Sequence, residues 1–278
     1  MKSSKAFAPA NISCIFRIYE HKNPRWMGSY GIGFTLNEGV IVEASKAKRN
    51  GVIFNDVSIR FPTIISVINK LTKEQIKLHI RSKLPLGCGF GLSGASALAS
   101  AYAINDLMKL KKSKKELAII AHIAEVKNKT GLGDVINQYY GGFCLKLRPS
   151  SHFAVKKISI NNADVYCRYF SKISTKAVIK DKKLKHKINN AAAGALGKIQ
   201  QLLKSNKHIQ FKDIIRISKS FAINSRLLKD KKTIKTIKNI ENNDGNASMI
   251  MLGNAVFSDK DFKGAFKYKI SDKGACLL

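Results

Sequence analysis

The stretch PLGCGFGLSGASAL, which runs from Pro85 to Leu98, is the most informative part of this 278-residue chain. Gly87, Gly89 and Gly91 let the backbone approach an anion closely, and a helix that begins just after them directs its free amides at the same point. A triphosphate is therefore the natural ligand. The loop is not a Walker motif, because no Gly-Lys-Ser/Thr closes it. The small residues that follow are also compatible with close helix packing alone.

The charge of the chain is strongly positive. Fifty Lys and Arg residues against 18 Asp and Glu residues give a formal net charge of +32, which raises the question of a nucleic-acid partner. However, Lys dominates over Arg, the residue that reads bases through paired hydrogen bonds. Lys, Ile and Asn are all frequent here and all have A/T-rich codons, so a compositional bias would raise the charge without any function. We therefore favour solvated basic surfaces, which would also attract anionic ligands.

The composition places the chain among ordinary globular proteins. Hydrophobic residues make up 45% of it, and no apolar run reaches the roughly 18 residues that span a bilayer. The N-terminus lacks the apolar segment of a secretory signal. Five cysteines are odd in number and scattered without a CxxC pair, so neither a disulfide framework nor a zinc site is indicated. These features predict a protein of the cytoplasm that does not associate with membranes.

The hydrophobic pattern indicates a mixed α+β fold in two parts. Alternating segments in the first third predict strands, and Glu38-Gly39 reads as a hairpin turn between two of them. Ser113 and Glu116 have the spacing of a capping box and predict a helix start. The segment Arg148-Pro149-Ser150-Ser151 is the best candidate junction, which gives parts 1–150 and 151–278.

Three further segments form a pattern with the glycine-rich loop. They are FAPANISCIF (Phe7–Phe16), HIAEVKNKTGLGDVINQYYGGF (His122–Phe143) and ASMIMLGNAVF (Ala247–Phe257). In this order the four segments resemble the GHMP kinase superfamily, and most closely its archaeal-type pantoate kinase branch. The resemblance implies a GHMP kinase fold, with an S5-like N-terminal half that binds ATP and a ferredoxin-like C-terminal half. It also implies ATP-dependent phosphorylation of (R)-pantoate to 4-phosphopantoate in coenzyme A biosynthesis.

The resemblance also implies roles for individual residues. Asp134 would accept or orient the proton of the substrate hydroxyl, and Ser93 and Glu125 would bind Mg²⁺. Simpler roles stay open: Ser93 as a helix N-cap, Glu125 as an exposed helical residue and Asp134 as a turn residue that caps the next helix. The residues expected to cradle the ATP phosphates are Pro85, Gly87, Gly89, Gly91, Ser93, Gly94, Ala95 and Ser96.

The substrate pocket is less defined by the sequence. A small hydroxy acid needs hydrogen-bond donors, for which Ser29, His122 and a basic residue among Lys146 and Arg148 are the candidates. His122 and Glu125 are three residues apart and therefore share a helix face. The chain departs from the wider superfamily at Ala10, where many members carry Gly followed by Arg or Lys, so that basic phosphate contact is absent.

Two alternatives remain open. Another GHMP kinase, acting on homoserine, mevalonate or shikimate, would differ only in the substrate pocket. A basic RNA-binding protein is the alternative from another class, because S5-like folds also occur in the translation machinery, but the aromatic and Arg array expected of an RNA-binding sheet is not found. The lysine-rich C-terminal half is compatible with a homodimer interface or with a solvated surface.

Overall fold

The protein is described here by a computed structural model that covers residues 2–149, 152–160, 163–205 and 209–278. The strands are β1 (Ser3–Tyr19), β2 (Gly28–Lys46), β3 (Gly51–Phe54), β4 (Val57–Ser58), β5 (Ile76–Arg81), β6 (Phe143–Lys146), β7 (Val155–Ile158), β8 (Asp164–Lys172), β9 (Ala247–Met249), β10 (Gly253–Ser258), β11 (Phe266–Lys269) and β12 (Cys276–Leu277). The helices are α1 (Pro62–Leu71), α2 (Leu92–Leu107), α3 (Lys114–Asn128), α4 (Asp134–Tyr140), α5 (Thr175–Lys180), α6 (Lys182–Lys204), α7 (Phe211–Asn224) and α8 (Lys231–Glu241).

The first sheet is built on the long antiparallel pair β1 and β2. Its strand order is β12-β1-β2-β5-β3-β4, and β6 and β7 extend it from β2. Helix α2 packs on β1, β2, α1 and α3, and nearly all of its residues are buried. Small side chains such as those of Ala95, Ala97 and Ala99 allow this close approach. The start of α2 is therefore held rigidly within the first half of the chain.

The predicted turn at Glu38-Gly39 is wrong, because β2 continues through these residues without reversing the chain. At Gly39 the neighbouring strand passes so closely that a Cβ would lie 2.1 Å from the Ala8 carbonyl oxygen. The glycine thus serves close strand packing instead of a reversal of the chain. The pairing of β1 with β2 shifts register between Pro9 and Asn11, and such a bulge re-aims side chains next to functional sites.

The second sheet has the order β11-β8-β10-β9, with neighbouring strands antiparallel. Helices α7 and α8 pack on it, while α6 packs on α7 and β1. The mixed α+β composition of both parts is confirmed, as is the capping box of Ser113 and Glu116 at the start of α3.

The division into parts at about residue 150 stays a prediction, and Ser150-Ser151 lie outside the described residues. Both β7 and β12 return from the second part to the first sheet. Among the described residues, none of the helices combines the length and the apolar character that a membrane span requires.

Candidate active site

A cavity of about 410 Å³ is lined by residues from both sides of the predicted boundary near residue 150. The residues before this boundary come from β1, the glycine-rich loop and the stretch 128–134, which runs from the end of α3 to the start of α4. The second part contributes Ser174, residues of α5 and Met251-Leu252. Among the described residues, the basic ones that line the cavity are Arg60, Lys129 and Lys176, and the acidic one is Asp134. This balance of charge suits anionic ligands.

The glycine-rich loop adopts backbone conformations that other residues rarely adopt. Gly87, Gly89 and Gly91 have φ values of 87°, 88° and 63° and all line the cavity. Gly91 is the N-cap of α2, so the first amides of the helix have no acceptor within it and lie at the positive end of the helix dipole. The loop therefore has the geometry of a phosphate cradle.

Not all of the predicted cradle residues face the cavity. Ser93 lines it, whereas Pro85, Gly94, Ala95 and Ser96 do not. Gly94 and Ala95 are buried in the first turn of α2, and Ser96 is buried with no hydrogen-bond partner for its hydroxyl within the described residues. A Cβ on Gly94 would lie 3.3 Å from Glu125 Oε2, so the small residue makes room for that carboxylate.

Glu125 is a buried carboxylate, only 2% exposed, at the back of the loop. Ser93 Oγ and Thr130 Oγ1 each donate a 2.5 Å hydrogen bond to its Oε1, and Thr63 extends the hydroxyl chain through Thr130. Burial raises the pKa of Glu125 to about 7, although the two hydroxyls act in the opposite direction. The structure thus places Glu125 inside the protein, and Ser93 binds it instead of capping α2, whose N-cap is Gly91.

Asp134 is the first residue of α4 and borders the cavity. Its Oδ1 accepts hydrogen bonds from Asn11 Nδ2 at 2.7 Å and from Ser13 Oγ at 3.3 Å. Burial raises the pKa of Asp134, whereas the charge of Lys146 and the bonds from Asn11 and Ser13 lower it. These contacts orient a carboxylate at the cavity wall, where it can accept a proton from a bound hydroxyl.

The four predicted substrate residues lie in different surroundings. Ser29 lines the cavity beside Gly133. Lys146 is 4% exposed, and its Nζ donates to the Gly133 carbonyl oxygen at 2.9 Å. Burial lowers its pKa, while Asp134 raises it. Lys146 therefore binds the backbone of Gly133 without lining the cavity. Arg148 is exposed and does not line the cavity either.

His122 is fully buried in α3 and does not line the cavity. Its Nε2 lies 3.0 Å from the Met27 carbonyl oxygen. Burial lowers the pKa of His122 to about 4, so the ring is neutral near pH 7 and its Nε2 donates to Met27. This bond holds the chain just before Ser29, which gives His122 an indirect connection to the cavity.

Sequence reasoning missed several polar residues of the site. Asn11 lies in the segment FAPANISCIF, and its role depends on Asp134, far away in the chain. Thr130 lies in KTGLGD, and its hydroxyl contacts Glu125 five residues earlier as well as the distant Thr63. Gln138, in α4, donates from Nε2 to the Gly91 carbonyl oxygen at 2.8 Å. Its position one helical turn after Asp134 was the available signal.

Comparisons with known proteins agree with this geometry. The family model described as GHMP kinases N terminal domain matches residues 62–142. A pantoate kinase of Methanocaldococcus jannaschii is 33% identical over 90% of this chain and 90% of its own length. A pantoate kinase of Methanospirillum hungatei is 31% identical over 98% of this chain and 96% of its own.

Solved structures show the same fold. A structure described as a phosphotransferase related to the CoA biosynthesis pathway superposes with a TM-score of 0.86 and 24% identity. The alignment covers 100% of this chain and 99% of the other. The expected GHMP kinase fold is thereby confirmed.

Proposed function

The chain belongs to the GHMP kinases and, within them, to the pantoate kinases, and on this premise we propose how its residues phosphorylate (R)-pantoate. ATP is the phosphoryl donor in this family. The 4-hydroxyl of pantoate would attack the γ-phosphorus, which gives 4-phosphopantoate, ADP and a proton. In coenzyme A biosynthesis this is an early step. The observation that supports the proposal best is the position of Asp134 on the same cavity as the glycine-rich loop.

The loop supplies the nucleotide end of the site. Phosphoryl transfer depends on positioning and on neutralisation of charge more than on covalent chemistry by the protein. Free amides at the start of α2 would bind phosphate oxygens, and the cavity-lining cations Arg60, Lys129 and Lys176 would lower the cost of bringing two anionic ligands together.

The donor atoms near the loop fit a magnesium ion. Ser93 and Glu125 offer one hydroxyl and one carboxylate, which are ligands that a small hard cation prefers. Within the described ranges, no group of three or more His, Cys, Asp or Glu side chains could hold a metal, so phosphate oxygens and waters would complete the coordination. A bound Mg²⁺ would neutralise charge on the phosphates.

Asp134 would receive the proton of the 4-hydroxyl. Hydrogen bonds from Asn11 and Ser13 hold the Asp134 carboxylate in place at the cavity wall. The positive charge of Lys146, which binds the Gly133 carbonyl oxygen, stabilises the ionised form of Asp134. Ser29, beside Gly133, would contact the substrate. Substrate oxygens would thus meet donors on one side of the cavity, while apolar residues such as Phe16 and Ile18 would face the geminal methyl groups.

The test measures ADP release with ATP and Mg²⁺ for (R)-pantoate, homoserine, mevalonate and shikimate in parallel. We expect turnover with pantoate alone and a loss of at least about 100-fold in Asp134→Asn, with ADP binding retained. Asp56→Asn, at an exposed turn residue, is the matched control. Turnover with another acceptor would refute pantoate as the substrate. Salt-sensitive RNA binding without nucleotide binding would instead favour an RNA-binding protein.

A further inference from the structure

Gln138 links the helix that carries Asp134 to the glycine-rich loop. Its side chain is fully buried, and its Nε2 donates to the Gly91 carbonyl oxygen at 2.8 Å. The same oxygen accepts from the Ala95 amide at 3.0 Å, which is the first hydrogen bond of α2. Gly91 has a φ of 63°. Two donors therefore fix one carbonyl at the turn between loop and helix.

Fixing this carbonyl also fixes a neighbouring amide. The peptide unit is planar, so the carbonyl of Gly91 and the N–H of Leu92 point in opposite directions from one rigid plane. Leu92 is the first residue of α2 and lines the cavity. Its amide belongs to the group without an intrahelical acceptor. The bond from Gln138 thus sets the direction of an amide at the proposed phosphate site.

Helix α4 is itself anchored to other elements at Asn137 and Gln138. The Ala275 amide donates to the Gln138 carbonyl oxygen at 2.9 Å, and Asn137 Nδ2 donates to Asn11 Oδ1 at 2.8 Å. Asp134, Asn137 and Gln138 have the spacing that places side chains on one helix face. The side chain of Gln138 therefore holds the Gly91 carbonyl of the loop at a fixed position relative to α4.

Stability alone does not account for a glutamine at this position. Gln138 Oε1 has no hydrogen-bond partner within the described residues, and a buried acceptor without a partner lowers stability. A Cβ on Gly94 would lie only 2.9 Å from this oxygen, so it lies against the first turn of α2. An apolar side chain of similar length would avoid the unpaired oxygen but would lose the bond to Gly91.

We propose that Gln138 is a positioning residue that holds the Gly91 peptide, and with it the phosphate-binding amides of α2, at a fixed position relative to Asp134. The inference rests on the proposed function in that the loop binds nucleotide phosphates. It assigns to α4 two tasks one turn apart: Asp134 faces the acceptor hydroxyl, and Gln138 aligns the donor.

The variant Gln138→Met tests this role, because it keeps the length of the side chain and removes both polar atoms. Calorimetry with ADP should show binding about 3- to 10-fold weaker than in the wild type. The thermal midpoint should be unchanged or higher, and the KM for pantoate should be unchanged. Gln138→Leu, which also removes both polar atoms and adds no charge, should weaken ADP binding to a similar extent. This variant decides the question if Gln138→Met does not fold.

The matched control is Ser218→Ala, which also removes a buried hydrogen bond. Ser218 Oγ donates to the Cys14 carbonyl oxygen at 2.9 Å, and neither of the two residues lines the cavity. This variant should lose thermal stability and keep its ADP affinity. Unchanged ADP affinity in a folded Gln138 variant would overturn the proposal, and so would equal changes in the ADP and pantoate constants. ADP binding can be measured without any phosphoryl acceptor. A wild type that binds ADP but does not phosphorylate pantoate would therefore refute pantoate as the substrate and leave the role of Gln138 to be decided by its variants.

Discussion

Asn11 Nδ2 donates a hydrogen bond to Asp134 Oδ1 at 2.7 Å, although the two residues are 123 positions apart in the chain. The amide cannot turn freely, because Asn11 Oδ1 accepts from Asn137 Nδ2. Burial raises the pKa of Asp134 and the bond from Asn11 lowers it. The ability of Asp134 to take up a proton is thus partly set by a residue of β1.

The variant Asn11→Ala should shift the pH dependence of the reaction. A carboxylate accepts a proton only when it is ionised, so activity falls as the pH drops through the pKa of Asp134. Loss of the Asn11 bond raises this pKa, and the acid limb of kcat/KM should therefore move to higher pH. At neutral pH we expect kcat to fall about 10-fold, the range expected for a hydrogen bond to a charged group.

The measurement is kcat/KM for pantoate between pH 5 and pH 9. Asn190→Ala, at an exposed position of α6, removes the same side chain away from the cavity and should reproduce the wild-type profile. An acid limb at the wild-type pH in Asn11→Ala would show that Asn11 does not control Asp134.

Ser93 and Ser100 of α2 form a matched pair for the magnesium requirement. Ser93 Oγ bonds Glu125 at the cavity, whereas Ser100 Oγ is buried without a partner among the described residues. We expect Ser93→Ala to raise the Mg²⁺ concentration for half-maximal activity by about 10-fold, since one oxygen ligand is lost. Ser100→Ala should leave this concentration unchanged. Titration of activity and of ADP affinity with Mg²⁺ checks both, and equal curves for the two variants would exclude a metal role for Ser93.

The sequence predicted the local features of the site and missed those that depend on distant contacts. Gly87, Gly89 and Gly91 were recognisable because their freedom is a property of single residues. The buried state of Glu125 was not, because it depends on Thr130 and on the packing of α3 against α2. Sequence spacing shows which side chains share a helix face, but it does not show which other element covers that face.

The turn predicted at Glu38-Gly39 failed for a related reason. Glycine favours turns, but it also permits strands to approach closely, and the close contact of Gly39 with Ala8 shows the second use. Arg148 shows the same limit on the substrate side, because one position separates it from the buried Lys146 while its own side chain is exposed. Whether a residue at the end of a strand points inward depends on strand pairing, which is nonlocal.

The raised pKa of Glu125 predicts a dependence of stability on pH. Its folded value of about 7 lies above the ordinary 4.5, and burial is the main cause. Between these values the folded protein holds a proton that the unfolded chain has released. The free energy of unfolding should therefore fall as the pH rises through this window, by on the order of 3 kcal/mol from this group.

Glu125→Gln removes this titration and keeps an acceptor for Ser93. Urea unfolding in the presence of a chelator should show the variant gaining stability relative to the wild type between pH 5 and pH 8. Glu116→Gln is the control: the hydrogen bond from the Ser113 side chain lowers the pKa of the exposed Glu116, so this carboxylate is ionised in both states above pH 5 and the difference from the wild type should stay constant between pH 5 and pH 8. A constant difference between Glu125→Gln and the wild type at both pH values would contradict the raised pKa.

Gly131→Ala and Gly194→Ala compare the effect on activity of a methyl group added beside the site with that of a methyl group added on an open helix face. A Cβ on Gly131 would lie 2.0 Å from Glu125 Oε2, whereas a Cβ on Gly194 would meet nothing within 4 Å. The first substitution must displace Glu125 and disturb its contact with Ser93. Because misplacement by about 1 Å can cost about 100-fold in rate, we expect a loss of that size.

Gly194 lies in α6, where alanine is the better helix former, so Gly194→Ala should keep full activity and gain about 1 kcal/mol of stability. Steady-state rates and thermal midpoints of the two variants provide the comparison. Full activity in Gly131→Ala would mean that the position of Glu125 tolerates displacement, and its proposed contact with Mg²⁺ would then be refuted. A loss of rate in both variants would point instead to a general sensitivity of the fold to added side chains.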